Sequence, residues 1–461
     1  MNTHIDVVAS HDQPSRGLRS RHLQLMAMGG AIGAGFLLGS GSAIHSTGPG
    51  LLVLYLLAGA VMYLLMRALG EMALADPSGG SFSTYATTFL GPRMGFITGW
   101  SYWLCVVLVG MTEITAVGIL VRHWFPELPQ WQPALCAAAL FYAINLRPAR
   151  SFGETEYWFA MIKVVTLGGV LACGIAILFL GIGEVGKHAG VANLWMHGGF
   201  FPAGFFGAVA ALPIVLFAFG GIEVLALAAA ETEKPEQTLP RAIRGLFFRI
   251  LILYVGSLAI VMMLFPWNSI DPRTSPFILV LQRAGLPAAE NVVTLVAVTA
   301  ILSAGNSVLF AASRMLRSLA SASQAPARLR GLSQEGTPQF SVSVCAAAML
   351  IGVALNYFIP ERVLGDVMSM VGWLVLFVWA TIMLTHLAYR RAVSRGDAKA
   401  VSFRVPGAPY SNWLVIATIG FAAVQLLIQG TGAVPFYILL SWFAILLVAY
   451  HVTTSQRFRQ E

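Results

Sequence analysis

Charged residues are scarce in this chain of 461 residues. Asp, Glu, Lys and Arg make up 10% of it, whereas hydrophobic residues make up 57%. Ordinary soluble domains contain about 25% charged residues. A soluble fold with so little charge would lack a polar surface, so most of its exterior must face lipid. The composition therefore predicts an all-α integral membrane protein, because helices satisfy their own backbone hydrogen bonds in hydrocarbon.

Cysteine and histidine are also few. The four cysteines (Cys105, Cys136, Cys173 and Cys345) lie within apolar stretches and form no CxxC pair, which is typical of small core residues. The nine histidines stand singly, and the chain contains no HExxH, GxSxG or GxxxxGK[ST] motif. We therefore expect no metal, no cofactor, no enzyme and no built-in ATPase.

Long apolar runs fill most of the chain. Twelve of them are each near the ~20 residues that a spanning helix needs. The predicted spans are residues 22–45, 50–72, 94–121, 129–146, 153–183, 203–230, 243–265, 288–320, 339–358, 362–388, 411–429 and 433–453.

The positive charge follows the predicted topology. With both termini in the cytoplasm, 22 Lys and Arg residues fall on the inner side, five fall on the outer side, and Lys163 lies within a span. This asymmetry is the positive-inside pattern of membrane proteins. The net charge of +8 therefore indicates topology and not nucleic-acid binding. Residues 1–21 are polar and have no apolar core of a signal peptide, so we expect a cytoplasmic tail.

Two spans are interrupted by glycines. Span 1 contains "GGAIGAG" at 29–35, and span 6 contains "FAFGGIE" at 217–223. The two spans lie five spans apart, so the second unit would be inverted relative to the first, and paired interrupted spans point to the binding site of a transporter. The alternative is that these glycines only allow close helix packing.

A broken helix offers unpaired backbone groups at membrane depth. The N-terminus of the half-helix after the break suits a carboxylate, and freed carbonyls suit an ammonium, so the pair of breaks predicts an amino acid as ligand. The predicted substrate-binding residues at the two breaks are Ala31, Ile32, Gly33, Ala34, Gly35, Phe217, Ala218, Phe219, Gly220 and Gly221.

Several longer segments resemble bacterial amino acid permeases of the amino acid–polyamine–organocation superfamily. They include "RGLRSRHLQLMAMGGAIGAGFLLGSG", "FGETEYWFAMIKVV" and "LFAFGGIEVLALAAAETEKPEQTLPRAI". The resemblance runs from about residue 16 to about residue 451. It implies a leucine-transporter-like fold of 12 transmembrane helices, with an inverted five-plus-five repeat and two further C-terminal helices.

That resemblance sets the expected organisation and activity. The repeats are expected at 22–183 and 203–388, the additional helices at 411–453 and a cytoplasmic tail at 454–461, with spans 1 and 6 discontinuous. The implied activity is proton-coupled import of an amino acid across the inner membrane. The coupling ion H+ comes from the resemblance alone. We expect a monomer in lipid, with an oligomer left open.

Ionisable residues within spans are costly, and each is a functional candidate. In the resembling family, a lysine at the position of Lys163 takes the place of a sodium ion, so Lys163 is the predicted coupling residue; the alternative is a lysine that reaches the interface. Glu223 can contact the substrate amine, carry the proton or cap the broken backbone. Glu113 can line the cavity or pair with Lys163.

Other candidates carry weaker signals. Phe219 is the predicted lid over the substrate, and Glu231 is a predicted gating residue at the end of span 6. Ser303 can contact substrate or, with Asn306, the ion-equivalent site; helix–helix hydrogen bonding is the alternative. Glu71 is expected to pair with Arg67, four residues earlier on the same helix.

The sequence supports other classes of function less well. A channel needs a continuous polar path, and no span repeats polar residues along one face. The favoured substrates are neutral amino acids, either aliphatic or aromatic, because no cation or anion site is marked. A basic side chain stays open, since Glu113 and Glu223 can serve one.

Overall fold

The computed structural model describes residues 33–37, 39–76, 81–223, 235–271, 275–283, 289–428 and 433–457. These residues form helices and connections, without strands in the described ranges. The α-helices are α1 (Ala34–Leu37), α2 (Gly39–Thr47), α3 (Leu51–Ala75), α4 (Phe82–Leu90), α5 (Pro92–Val121), α6 (Trp131–Asn145), α7 (Ala149–Leu180), α8 (Gly183–His188), α9 (Gly204–Val209), α10 (Leu212–Phe217), α11 (Pro235–Leu264), α12 (Pro276–Arg283), α13 (Ala289–Ser321), α14 (Gln339–Phe358), α15 (Val363–Arg395), α16 (Tyr410–Ile428) and α17 (Ala433–Arg457).

Eight segments of the described chain are long and apolar enough to cross a membrane, which supports a multi-pass membrane protein. Helix α14 has the bounds predicted for span 9, residues 339–358, and α5 extends the predicted span 3 by two residues at its start. The exact number of twelve spans, the inverted repeat and the breaks in spans 1 and 6 stay predictions.

A glycine-proline turn separates α2 from α3. The two helices and the 3-10 turn Gly48–Gly50 form one apolar segment of 37 residues. A straight helix of that length would measure about 55 Å, well beyond the ~30 Å hydrocarbon core. Gly48 has a φ of +62°, which only glycine adopts at little cost, and Pro49 follows it. The backbone therefore turns here, between the two spans predicted from the sequence.

Helices α5 and α13 form the centre of the bundle. They pack against each other, and their most apolar stretches are 72% and 78% buried within the protein. The corresponding value for α17 is 11%, so the last helix lies at the periphery. Because a lipid-facing helix can stay apolar without protein contacts, hydropathy alone cannot tell these two environments apart.

The prediction of an ion pair between Glu71 and Arg67 is wrong. Arg67 lies with its guanidinium carbon 3.8 Å from the centre of the Phe403 ring and donates a hydrogen bond to the Arg404 carbonyl. Glu71 instead accepts hydrogen bonds through both carboxylate oxygens from partners distant in sequence. A buried carboxylate needs several donors at once, which a single arginine on the same helix does not supply.

Glu71 joins α3 to α15 and to the loop that follows α15. Arg390 Nη1 lies 2.9 Å from Oε1, and His386 Nε2 lies 3.1 Å from Oε2. The backbone N–H of Val405 donates to Oε2 at 2.7 Å, and Asn412 contacts the other ring nitrogen of His386 at 2.8 Å. This buried network fixes one end of the bundle.

Candidate functional site

A small cavity lies where Gly33, the end of α10 and the middle of α5 meet. It is lined by Gly33, Cys105, Val106, Val109, Glu113, Phe217, Ala218, Gly220, Gly221, Glu223, Val308, Val371 and Val375.

Residues 218–223 leave the regular helix at the cavity. Helix α10 ends at Phe217, and the following residues form turns in which the N–H of Gly220 donates to the Phe217 carbonyl at 2.9 Å. Gly221 has a φ of +91°, which is a glycine conformation. Tyr254 donates its hydroxyl to the Ala218 carbonyl at 3.0 Å. The sequence Gly220–Gly221 thus permits a backbone path that brings peptide groups to the cavity.

Gly33 and Glu113 lie next to each other in the lining of the cavity. A Cβ atom built on Gly33 would lie 2.9 Å from Glu113 Oε1 and 3.2 Å from Ala304 Cβ. Any larger residue would therefore displace the Glu113 carboxylate. This is a close approach between backbone and carboxylate that requires glycine.

Glu223 places a second carboxylate at the cavity. Its Oε1 accepts the N–H of Gly221 at 3.3 Å, and within the described residues its Oε2 makes no hydrogen bond. Trp379 approaches this carboxylate without hydrogen-bond geometry. Glu223 is 3% exposed, so one carboxylate oxygen remains available in a buried site.

An apolar wall completes the cavity. Five valines line it, from three helices: Val106 and Val109 on α5, Val308 on α13, and Val371 and Val375 on α15. These positions cannot be recognised from the sequence, because a valine in a span is ordinarily a packing or lipid-facing residue. Only the packing of α5, α13 and α15 brings them to one cavity.

Lys163 lies outside that cavity. It is buried, with 2% exposure, and lines a separate small cavity together with Thr166 on α7 and Ser275 before α12. It interacts electrostatically with Glu156 and Glu113. Glu113 also lines the first cavity, so it borders both that cavity and the surroundings of Lys163.

Sequence reasoning missed Glu156. It is fully buried on α7, and Ser303 on α13 donates a hydrogen bond to its Oε1. Ser303 therefore contacts the Glu156 carboxylate and is not among the residues that line the first cavity. Glu156 precedes Lys163 by seven residues, a spacing that places both on one helix face and would have revealed the pair.

The remaining predicted site residues are placed as follows. Phe217 lines the first cavity, whereas Phe219 lines a neighbouring apolar cavity with Gly59 and Ile222, its ring centre 5.5 Å from that of Tyr254. Ala34 and Gly35 belong to α1, and Asn306 receives a hydrogen bond from Asn145 at 2.8 Å. The predicted residues Ala31, Ile32 and Glu231 lie outside the described residues.

The chain matches a known family over nearly all of its length. A family model with the description "Amino acid permease" matches residues 22–461. That extent includes both glycine-rich segments, the described cavities and the last two helices, α16 and α17.

Individual relatives agree with this match. An uncharacterized amino acid permease, YtnA of Bacillus subtilis, is 41% identical over 95% of this chain and 94% of its own length. The amino-acid permease AapA of the same organism is 39% identical over 99% of this chain and 98% of its own length. The aromatic amino acid transport protein AroP of Escherichia coli K12 is 40% identical over 95% of both chains.

Proposed function

Because the chain belongs to the amino acid permease family, we propose that it is a proton-coupled secondary transporter that imports an amino acid across the bacterial inner membrane by alternating access. The repeats are the segments 22–183 and 203–388, and the helices within 411–453 are additional. The termini lie in the cytoplasm, and the transporter is a monomer.

The observation that carries this proposal is the cavity where Gly33 meets the turn at 217–221. Gly33 of predicted span 1 and Phe217, Ala218, Gly220 and Gly221 of predicted span 6 line it, together with Glu113 and Glu223. In the proposed site, the backbone of residues 31–35 and 217–221 holds the α-carboxylate and the α-ammonium. The available Oε2 of Glu223 supports an ammonium partner at that end.

The apolar wall supports a neutral side chain. Five valines offer no partner for a charged group, and burying an unpaired charge against them costs several kcal/mol. The aromatic substrates named for AroP agree with a neutral substrate but do not distinguish aromatic from aliphatic side chains. The proposed substrates are therefore neutral amino acids.

Proton coupling is assigned to Lys163 and Glu223. Lys163 is a buried cation that interacts electrostatically with Glu113, and Glu113 lines the proposed substrate cavity. Glu113 can therefore link the protonation state of Lys163 to the bound substrate. The proposed gates are Phe219, which covers the substrate on closure, and Glu231 at the cytoplasmic end of span 6. In the described conformation Phe219 packs against Tyr55 and Tyr254, so closure requires that this ring move.

Purified protein in liposomes tests the proposal. With no ATP present, an imposed gradient that is acidic outside should drive accumulation of radiolabelled leucine or phenylalanine above the external concentration. A protonophore should abolish it, and labelled lysine should not accumulate. Uptake that only equilibrates the two sides would indicate a passive path and contradict the proposal.

A thermal-shift screen gives an independent test of the side-chain preference. Leucine, phenylalanine, alanine and proline are compared with lysine, arginine and glutamate. Stabilisation by lysine and arginine alone would overturn the neutral preference and leave amino acid transport itself standing.

A further inference from the structure

A buried polar cluster lies beside the substrate cavity and separate from its lining. It contains Glu156 and Lys163 on α7, and Ser303, Asn306 and Ser307 on α13, together with Asn145 on α6. All six side chains are at most 2% exposed. A buried charge must be compensated, so the protonation states within this cluster are linked.

The spacing on α7 brings the two ionisable groups together. Seven residues correspond to two turns, or about 10 Å along the axis. Residues seven positions apart share one face of a helix, so Glu156 and Lys163 lie on the same face of α7. The two groups interact electrostatically, in agreement with this geometry.

The surroundings of Glu156 accommodate both a carboxylate and a carboxylic acid. Ser303 donates to Oε1. Within the described residues, Oε2 has no hydrogen-bond partner, and Ser307 and Asn306 approach the same carboxylate outside hydrogen-bond geometry. A serine hydroxyl can donate to the anion or accept from the acid, and an amide nitrogen can donate to the anion. The cluster therefore accommodates both protonation states of Glu156.

Lys163 and Glu156 border different parts of the protein. Lys163 lines a small cavity that reaches Ser275, in the connection between α11 and α12. In the proposed topology this connection is on the outer side, and Glu156 is nearer the cytoplasmic end of α7. Within the described residues, the other titratable group in electrostatic contact with the pair is Glu113 on α5; α13 and α6 present only serine and asparagine.

We propose that Glu156 is a further proton-carrying residue beside Lys163 and Glu223, which receives the coupling proton from Lys163 and releases it toward the cytoplasm. This inference rests on the proposed function. The proton leaves the Lys163 ammonium, which becomes a neutral amine, and joins Glu156 Oε2, so the charge of the pair stays zero. Lys163 then takes a new proton from the outer cavity, with Glu113 as the compensating anion, and Glu156 releases its own inward.

The test separates coupling from binding. Wild-type protein, Glu156→Gln and the control Glu154→Gln are compared in liposomes for three readouts: exchange of labelled leucine without a gradient, accumulation under a pH gradient, and proton entry followed with a trapped pH dye. Glu154 lies two residues away on the same helix and on another face. One pH unit allows up to about tenfold accumulation at one proton per substrate.

We expect Glu156→Gln to keep leucine exchange, to lose accumulation and to lose leucine-driven proton entry. Glu156→Asp should recover part of both, and Glu154→Gln should behave as wild type. Accumulation by Glu156→Gln at the wild-type level would overturn the inference. Loss of exchange, thermal stability and accumulation together, without recovery in Glu156→Asp, would also overturn it, because that pattern indicates a structural role.

Ser303→Ala provides a second measurement that keeps the carboxylate. Removing this hydroxyl changes the balance between the acid and the carboxylate of Glu156, so the pH midpoint of uptake should shift, and an unchanged midpoint contradicts the inference. If wild-type protein does not accumulate leucine or any other tested amino acid under a pH gradient, the proposed function fails and the inference fails with it. If wild type and Glu156→Gln accumulate alike, only the inference fails.

Discussion

The Glu113 carboxylate lies against the backbone of Gly33, and a Cβ atom on that glycine would come within 2.9 Å of Glu113 Oε1. One carboxylate therefore borders Gly33 and the first cavity and interacts electrostatically with the buried Lys163. This contact joins the proposed substrate site to the buried polar cluster.

Gly33→Ala should weaken substrate binding by displacing Glu113. The methyl group meets the carboxylate and Ala304, so we expect the apparent Kd for leucine to rise about tenfold, which corresponds to about 1.4 kcal/mol. The measurement is binding of labelled leucine to purified protein. Gly39→Ala is the control, since its nearest contact, Ile214 Cγ2, is at an ordinary 3.9 Å. Equal Kd values in the two variants would contradict the expectation.

Lys163→Ala should abolish accumulation under a pH gradient. The substitution removes a buried cation that compensates Glu113 and Glu156, and the accumulation ratio should fall to about one. Uptake into liposomes is the measurement, and Lys187→Ala, at a lysine whose side chain is 63% exposed, is the control. Gradient-dependent accumulation by Lys163→Ala would remove this lysine from the coupling mechanism.

Val106→Phe should narrow the substrate cavity. The added ring fills space against the other valines, so we expect the Kd for phenylalanine to rise at least tenfold and that for alanine to change less than about threefold. Competition binding measures both. Val165→Phe, at a position 63% exposed, adds the same ring outside the cavity and should change neither value.

Glu71→Gln should destabilise the protein. The amide cannot hold Arg390, His386 and the Val405 N–H together, so the free energy of unfolding should fall by about 3 kcal/mol. Thermal unfolding in detergent measures the loss. Glu184→Gln removes a surface pair with Lys187, which contributes about 0–1 kcal/mol, and should leave the midpoint nearly unchanged.

Alanine substitutions at two glycines, one packed inside the bundle and one at its periphery, should have different effects on the free energy of unfolding. A Cβ on Gly305 would lie 2.4 Å from the buried ring of Phe141, so Gly305→Ala should cost about 1–3 kcal/mol. Within the described residues, no heavy atom outside its own helical turn lies within 4 Å of that position on Gly169, and alanine there should be neutral or stabilising by up to about 1 kcal/mol. Thermal unfolding of both variants decides this; similar destabilisation would contradict the contact.

Part of the site follows from the sequence. Gly33, Phe217, Ala218, Gly220, Gly221, Glu113 and Glu223 were expected from glycine interruptions and buried acids, and they line one cavity. The orientation of Phe219, the contact of Ser303 and the partner of Arg67 did not follow. A side chain's position on its own helix is local information, whereas the helix that it faces is not.

The sequence by itself determined where the long helices lie, because a segment in hydrocarbon must satisfy its backbone internally and be apolar over a bilayer's thickness. Tertiary structure alone decided which distant residues meet: Glu71 and His386 are 315 positions apart, and Glu156 and Ser303 are 147. Their contacts depend on how α3 packs on α15 and α7 on α13, because buried charges gain compensation only from neighbours that packing brings within a few ångströms.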